Sequence, residues 1–407
     1  MQELLEQALA AHEAGETCIL CTVVRLDGSG YGRPGARLFL SDSGDRMGFI
    51  SGGCLEKDLC RRVWYATAAG PKLIAFDTAG NSVDVPRYNT GCEGVVYVLC
   101  QRISDREADV LRRILDANKS GREIRVLTVY RSQSNFAKVG DTFLFDSDGH
   151  YCPATAGAPV GMLEDCQSSH ACSLQVTAAV VEKLRSADHN SSFAISDANG
   201  HFIEAAIEII SPPRRLVIFG SGDDVIPVST ASVALGWQVT VVGHRVELTQ
   251  PHRFPGAEVL YGEMHEIAEE LLKRGTHFSE QTDIVIMTHD FDRDVEMMDV
   301  LLNAPVRSIG LLGPKRRLGR LVAKLHQRGR KLDDQDIQRI RSPLGLDIGA
   351  ISPAEIAMSI VAELIALSRE RQGGFLHARR HPIHPSIPHE QLIAERKFAS
   401  EAERVTR

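Results

Sequence analysis

Two cysteines that lie beside glycines have the clearest potential for chemistry in this sequence. Residues 51–56 read SGGCLE and residues 90–94 read TGCEG. Glycine lets backbone amides face a ligand, and a thiolate near a helix N-terminus has a lowered pKa. Such a thiolate could be a nucleophile or a ligand to a soft metal, whereas the alternative is a buried cysteine on a tight turn. The candidate ligand-binding residues are Gly52, Gly53, Cys54, Glu56 and Cys92, and Cys54 is also the candidate metal ligand.

A glycine-rich loop precedes the first of these runs. Residues 28–35 read GSGYGRPG, and Arg37 follows two residues later. The glycines supply flexible loop backbone, and guanidinium groups suit an anionic ligand. We therefore predict that Ser29, Arg33 and Arg37 contact such a ligand.

A second glycine pair follows the apolar run LVIFG in the other half of the chain. Gly220 and Gly222 match the first two glycines of the dinucleotide-binding fingerprint, which bring backbone N–H groups close to a phosphate. Val225 stands where the third glycine belongs, and two aspartates at 223–224 crowd the position of the anion. The fingerprint is therefore incomplete.

The next predicted strand, QVTVVG, ends without the carboxylate that would hold an adenosine ribose. Gly243 stands at that position, and His244 and Arg245 follow it. Arg245 could contact a phosphate instead. The alternative is a Rossmann-like scaffold that binds no dinucleotide.

A histidine follows the strand DIVIM, where Thr288, His289 and Asp290 are consecutive. Ligands bind at the carboxyl edge of an open parallel sheet, so His289 is a candidate acid, base or ligand contact. The alternative is that Asp290 and Asp292 only cap the following helix.

Four further potential ligands are Cys152, Cys166, His170 and Cys172. Their types suit zinc, but their spacing matches no standard zinc motif, and we interpret the segment as an irregular surface insertion. Histidines 377, 381, 384 and 389 in the tail support a metal site no better.

Composition restricts the class of protein. The chain has 407 residues, 43% of them apolar, which is enough for two or three globular domains, and no repeat with a period of 20 to 50 residues is present. A net charge of −7 without a long basic run disfavours a nucleic-acid partner. The sequence shows no signal peptide and no membrane span, and nine scattered cysteines fit a reducing compartment. We therefore expect a cytoplasmic protein with no membrane partner.

Hydrophobic patterning predicts two domains and a tail. Residues 1–211 contain strands such as CILCTVVRL and GVVYVLC with helices between them, which is typical of an α+β domain. In residues 212–371, buried β-branched runs alternate with amphipathic helices, which predicts a Rossmann-like parallel-sheet domain and a C-terminal helix that Ser352 caps. Residues 186–200 are polar and turn-rich near the boundary, and residues 372–407 form a loosely attached tail. The predicted fold class is α/β.

Several motifs together resemble the XdhC/CoxI family, the accessory factors of xanthine dehydrogenase and related molybdenum hydroxylases. The first half contains TVVRLDGSGYGRPGARLFL and ISGGCLEKDL. The second half contains IFGSGDDVIPVSTASVALG, DIVIMTHDFDRD, SIGLLGPKRR and SPLGLDIGAISPAEIAMSIVAEL, in the order of that family. The GGCLE run and the last motif are specific, whereas the glycine loop alone is not.

The resemblance implies a chaperone for the molybdenum cofactor, with no turnover of its own. Such a protein binds molybdopterin and protects it while a cysteine desulfurase adds the terminal sulfido ligand. It then delivers the cofactor to a molybdenum hydroxylase of the xanthine dehydrogenase type. The cofactor carries a phosphate and a molybdenum, for which amides, arginines and a thiolate are suitable partners. We also expect a homodimer.

Three departures from the family pattern bear on the cofactor. Gly243 replaces an aspartate, Gly-Asp-Asp replaces the usual glycine-rich loop at 222–224, and Glu93 replaces a glycine beside Cys92. The first two departures disfavour NAD(P) as a cofactor. The third makes Cys92 a weaker candidate for binding the cofactor. An NAD(P)-dependent oxidoreductase is the alternative function, supported only by the predicted fold and the glycine pair.

Overall fold

The computed structural model describes residues 1–30, 32–51, 53–78, 94–133, 137–152, 183–196 and 202–380. The chain divides after Pro212 into two compact units. Residues 372–380, the start of the predicted tail, belong to the second unit, where a Cβ at Gly373 would lie 2.8 Å from the Leu346 side chain. Residues 381–407 lie outside the described part of the chain.

The first unit contains two five-stranded antiparallel sheets. One has the strand order β3-β2-β1-β5-β4 and the other β8-β7-β6-β10-β9. The strands are β1 (Cys18–Gly28), β2 (Arg37–Ser41), β3 (Arg46–Gly48), β4 (Lys72–Asp77), β5 (Gly94–Arg102), β6 (Ile124–Ser132), β7 (Thr142–Phe145), β8 (Tyr151–Cys152), β9 (Ser191–Ser196) and β10 (Phe202–Ile210). The helices are α1 (Gln2–Glu13), α2 (Cys54–Ala66) and α3 (Asp105–Lys119).

The two sheets have the same topology. In each sheet a long central strand, β1 or β6, lies between the other two strands of a meander and a two-stranded hairpin. Both central pairings contain a register shift, next to Val23 in β1 and next to Glu204 in β10. The sequence carries the same signal: TVVR at 22–25 corresponds to TVYR at 128–131, and RLFLSDSGD to TFLFDSDGH. The first unit is therefore an internal duplication with a period of about 105 residues.

Strand β9 differs from the sequence-based prediction. It lies inside residues 186–200, which we predicted as polar and turn-rich, and it pairs antiparallel with β10. The polar composition did not indicate this strand, because three of its six residues are serines, although its phenylalanine, Phe193, is buried in the core.

Helix α2 packs on the first sheet through Leu55, Leu59 and Val63, all of which are fully buried. Their spacing of four residues places them on one helix face. This packing fixes where α2 begins, at Cys54.

The second unit is built on a six-stranded parallel sheet of order β13-β12-β11-β14-β15-β16, the order of a doubly wound dinucleotide-binding fold. Its strands are β11 (Arg215–Phe219), β12 (Gln238–Gly243), β13 (Glu258–Tyr261), β14 (Thr282–Ile286), β15 (Ser308–Leu311) and β16 (Ile340–Arg341). Its helices are α4 (Val225–Ala234), α5 (Met264–Arg274), α6 (Phe291–Leu301), α7 (Lys315–Gln327), α8 (Asp334–Arg339) and α9 (Pro353–Ser368). The predicted fold class is confirmed.

Helix α9 starts with the capping box that the sequence predicted. The Ser352 hydroxyl accepts a bond from the backbone N–H of Glu355 at 3.3 Å, and the Glu355 carboxylate accepts one from Ser352 N–H at 2.8 Å. These bonds lower the pKa of the Glu355 carboxyl. In the described part of the chain, no helix is both long and apolar enough to cross a membrane.

Candidate functional site

Two loops and the start of a strand of the first unit meet through contacts that only glycine permits. A Cβ at Gly32 would lie 1.8 Å from the carbonyl oxygen of Ile50. A Cβ at Gly94 would lie 2.5 Å from the carbonyl oxygens of both Asp27 and Ser29. The loop after β1 therefore contacts the loop before α2 and the start of β5. Residues of the predicted run GSGYGRPG thus contact Ile50, which immediately precedes SGGCLE, and Gly94, the last residue of TGCEG.

Helix α2 begins at the predicted thiol. Cys54 is its first residue, and Gly53 is its N-cap with φ of 88°, a left-handed conformation that favours glycine. Because Gly53 has no side chain, the N-cap residue supplies no side-chain cap to the first amides of α2. The helix N-terminus is a positive end that suits an anion or a thiolate. Gly52 and the side chain of Cys54 lie outside the described residues.

Glu56, in the first turn of α2, holds the loop that precedes Cys54. Its Oε1 accepts bonds from the backbone N–H groups of Ile50 at 2.7 Å and Ser51 at 3.2 Å, and its Oε2 pairs with Arg46. Only 4% of the residue is exposed. A role for Glu56 in orienting a ligand would therefore act through this loop.

The predicted arginines are in different environments. Arg33 is exposed on the glycine loop, as is Ser29. Arg37 is buried, and its Nη1 and Nη2 donate to Oε1 and Oε2 of Glu208, each at 2.5 Å. The predicted contact of Arg37 with an anionic ligand would require this bidentate pair to open.

A charged cluster that the sequence analysis missed lies at the base of the glycine loop. Arg25 binds Asp27 through two bonds of 2.8 and 3.0 Å, and it also donates to Glu204 at 3.3 Å. Arg131 binds the same Glu204 at 3.1 Å. Arg25 and Arg131 occupy equivalent places in TVVR and TVYR, so the duplication was the signal that could have found the cluster. It fixes the chain just before Gly28.

Four other cysteines are poor candidates for thiolate chemistry. Burial raises the pKa of Cys18 to about 11 and raises those of Cys60 and Cys152. A hydrogen bond with Cys100, together with burial, raises the pKa of Cys21. Such thiols stay protonated near neutral pH.

Cys92, Cys166, His170, Cys172 and histidines 381, 384 and 389 lie outside the described residues.

The second predicted site lies where the strand order of the parallel sheet reverses, between β11 and β14. Gly220 follows β11 with φ of 142°, and a Cβ there would lie 2.4 Å from the carbonyl oxygen of Met287. His289 follows β14, and its Nε2 lies 2.9 Å from Oδ2 of Asp224. The glycine pair and His289 therefore meet at the carboxyl edge of the sheet.

Neighbouring side chains hold His289 at φ of 58°. Asp290 caps α6 through two backbone amides of that helix, and its own N–H donates to the Thr288 hydroxyl at 3.0 Å. Thr288 in turn donates to the buried Asp294. Burial raises the pKa of Asp294, although Arg317 binds it at 2.7 Å. Asp290 therefore caps the helix while His289 lies at the crevice.

Side chains of the protein fill the crevice where a dinucleotide would need space. The hydroxyls of Ser221 and Thr249 lie 3.0 Å apart. A Cβ at Gly243 would lie 2.2 Å from the Thr249 hydroxyl and 2.5 Å from that of Ser221. The position of the ribose-binding carboxylate is therefore occupied by two hydroxyl groups.

The phosphate position before α4 is acidic. Asp223 binds Arg253 at 2.5 Å, and Asp224 binds His289. A Cβ at Gly222 would lie 2.6 Å from Oδ1 of Asp224. Arg245 is exposed beyond β12. A pyrophosphate would meet two carboxylates here, so the crevice does not fit a dinucleotide.

We expect Gly243→Asp, which supplies the missing carboxylate, to lower thermal stability and to create no NADH site. The new side chain would overpack against Thr249 and Ser221, at a cost of about 1–3 kcal/mol. Differential scanning fluorimetry and NADH titration measure both effects. Adding Thr249→Ala and Ser221→Ala should restore stability, and NADH binding by Gly243→Asp alone would contradict this account.

The two units define a class of protein with a glycine and cysteine site on an α+β unit, followed by a Rossmann-type unit whose crevice does not fit a dinucleotide. Two family profiles match this arrangement: "XdhC and CoxI family" over residues 11–77 and "XdhC Rossmann domain" over residues 216–364. Together they cover just over half of the chain. The chain belongs to the XdhC and CoxI family.

Relatives match along most of the chain. A probable xanthine dehydrogenase subunit of Bacillus subtilis (strain 168) is 28% identical over 358 residues, which cover 87% of this chain and 94% of that protein. A crystal structure of a xanthine dehydrogenase from Bacillus halodurans, 27% identical, covers 93% of this chain and 98% of its own with a TM-score of 0.66. The uncharacterized protein YqeB of Escherichia coli K12 is 28% identical over 195 residues, which cover 47% of this chain and 34% of that protein.

Proposed function

We propose that this protein is an accessory factor that binds the molybdenum cofactor, assists its sulfuration and delivers it to a molybdenum hydroxylase of the xanthine dehydrogenase type. It works in the cytoplasm, without turnover of its own. The observation that carries the proposal is the close contact of the glycine loop after β1 with Ile50, four residues before Cys54 at the start of α2, and with Gly94 at the start of β5. The family and the xanthine dehydrogenase names of two relatives support the client.

The residues of the glycine site suit this cofactor. Amides of residues 28–30 and 32 and of the start of α2 would bind its phosphate, with Arg33 as an exposed guanidinium nearby. Cys54 would supply a soft thiolate ligand to the molybdenum. When bound, the cofactor supplies the metal whose terminal sulfido ligand the hydroxylase requires. Glu56 keeps the loop amides in place before the cofactor arrives.

A carrier of this kind needs two protein partners, a cysteine desulfurase that donates sulfur and an apo-hydroxylase that accepts the cofactor. We include self-association as a homodimer in the proposal. Both partners would meet the protein transiently, because a stable complex with either one would block transfer to the other.

Copurification tests the proposal. The protein is expressed in cells that make molybdopterin and in cells that cannot, and the purified samples are assayed for molybdenum, for the fluorescent oxidation product of molybdopterin and for NAD(P). We expect molybdopterin and molybdenum only from the first cells. Tightly bound NAD(P) without molybdopterin would favour the oxidoreductase instead, and neither ligand would indicate an interaction scaffold.

A further inference from the structure

The second unit has a helix whose charge is opposite to that of the whole chain. Residues 315–331 contain eight lysines and arginines and no acidic residue, although the chain carries a net charge of −7. The sequence analysis found no long basic run because apolar residues separate these side chains. They belong to α7 and the turn that follows it.

Most of these cations are exposed to solvent. Arg316, Lys324 and Arg328 are exposed and, within the described part of the chain, pair with no carboxylate. Arg317 differs, because it is half-buried and binds Asp294. Like charges at spacings of four residues repel one another along a helix. The pattern is therefore typical of a surface that meets opposite charge.

The same face contains a helical glycine that no internal contact explains. Gly319 is exposed within α7, and a Cβ there would meet no atom of the described residues within 4 Å. Glycine weakens a helix relative to alanine. Ala323 lies one turn further along the same face. These two small residues allow another chain to approach the backbone between the basic side chains.

The surroundings of α7 favour one kind of partner. Leu321 and Leu325 on its opposite face are fully buried, so the helix has no free apolar face to enter a membrane. The acidity of the remaining chain disfavours a long polyanion such as a nucleic acid. We infer that α7 docks an acidic face of the client hydroxylase, an inference that rests on the proposed function.

Charge reversal tests this inference. The variant combines Arg316→Glu, Lys324→Glu and Arg328→Glu. The matched control combines Lys119→Glu, Arg122→Glu and Lys138→Glu, which change the charge equally at exposed positions of the first unit. Association with the immobilised apo-hydroxylase is measured at low and high salt. We expect the α7 variant to associate about tenfold more slowly at low salt and to lose most of the salt dependence, while the control matches the wild type.

Other outcomes separate the inference from the proposed function. Equal binding by the wild type and the α7 variant, with molybdopterin retained by both, would overturn the docking surface and leave the cofactor role intact. If the wild type retains molybdopterin but binds no hydroxylase, both the docking surface and the proposal that a hydroxylase is the client are contradicted. Loss of duplex DNA or phosphatidylserine vesicle binding in the α7 variant, with hydroxylase binding unchanged, would overturn the choice of partner.

A second variant tests the close approach at Gly319. Gly319→Gln adds an uncharged side chain that favours the helix, so its thermal midpoint should rise while the complex with the hydroxylase dissociates faster. A complex that gains lifetime in this variant would contradict close approach at the glycine.

Discussion

In the Cys54→Ala variant, we expect the molybdenum and molybdopterin that copurify to fall about tenfold or more, while thermal stability stays close to that of the wild type. Cys54 starts α2 behind a glycine N-cap, where the helix amides favour a thiolate. Removing a thiol at the start of the helix is a small change in packing. Bound cofactor per protomer and activation of the apo-hydroxylase are the two measurements.

Cys60→Ala is the matched control, because Cys60 lies on the same helix and burial raises its pKa. We expect it to retain the cofactor. Cys54→Ser should retain less than the wild type, since an oxygen is a harder ligand than sulfur. Should Cys54→Ala carry as much molybdopterin as the parent and activate the hydroxylase equally, the thiolate role is wrong. The glycines before Cys54 would then form only a phosphate-binding turn.

The sequence predicted the parallel-sheet unit well because its signals are local. Buried β-branched runs mark the strands, and Ser352, Pro353 and Glu355 mark the start of α9. The groups that fill its crevice were not predictable in this way. Thr249 and Arg253 approach Ser221 only after the chain has folded, since they lie 28 and 32 residues further along.

The first unit was harder to predict because its organisation is non-local. The glycine and cysteine runs were visible as residue types, but the contact of Gly32 with Ile50 depends on the pairing of β1 and β2 with their neighbours. The duplication escaped a search for shorter repeats, and with it the shared position of Arg25 and Arg131. The partner of Arg37 is 171 residues away and on the other sheet, so spacing could not reveal it.

Glu208→Ala should destabilise the first unit by about 3–5 kcal/mol, because it leaves the Arg37 guanidinium buried without its carboxylate. The two side chains are 7% and 12% exposed and form two parallel bonds of 2.5 Å. Urea unfolding measures the change in free energy. Glu13→Ala is the control, because the Glu13–Arg112 pair is about half exposed and should contribute less than about 1 kcal/mol.

The double variant Arg37→Met with Glu208→Leu decides what Arg37 does. Replacing both charges by apolar side chains of similar size should restore most of the stability, because neither partner is left unpaired. Such a variant can then be tested for the cofactor. Retained molybdopterin would make the pair a structural link between the two sheets. A folded double variant that loses molybdopterin would show instead that Arg37 contacts the ligand, and that the ligand replaces Glu208 as its partner.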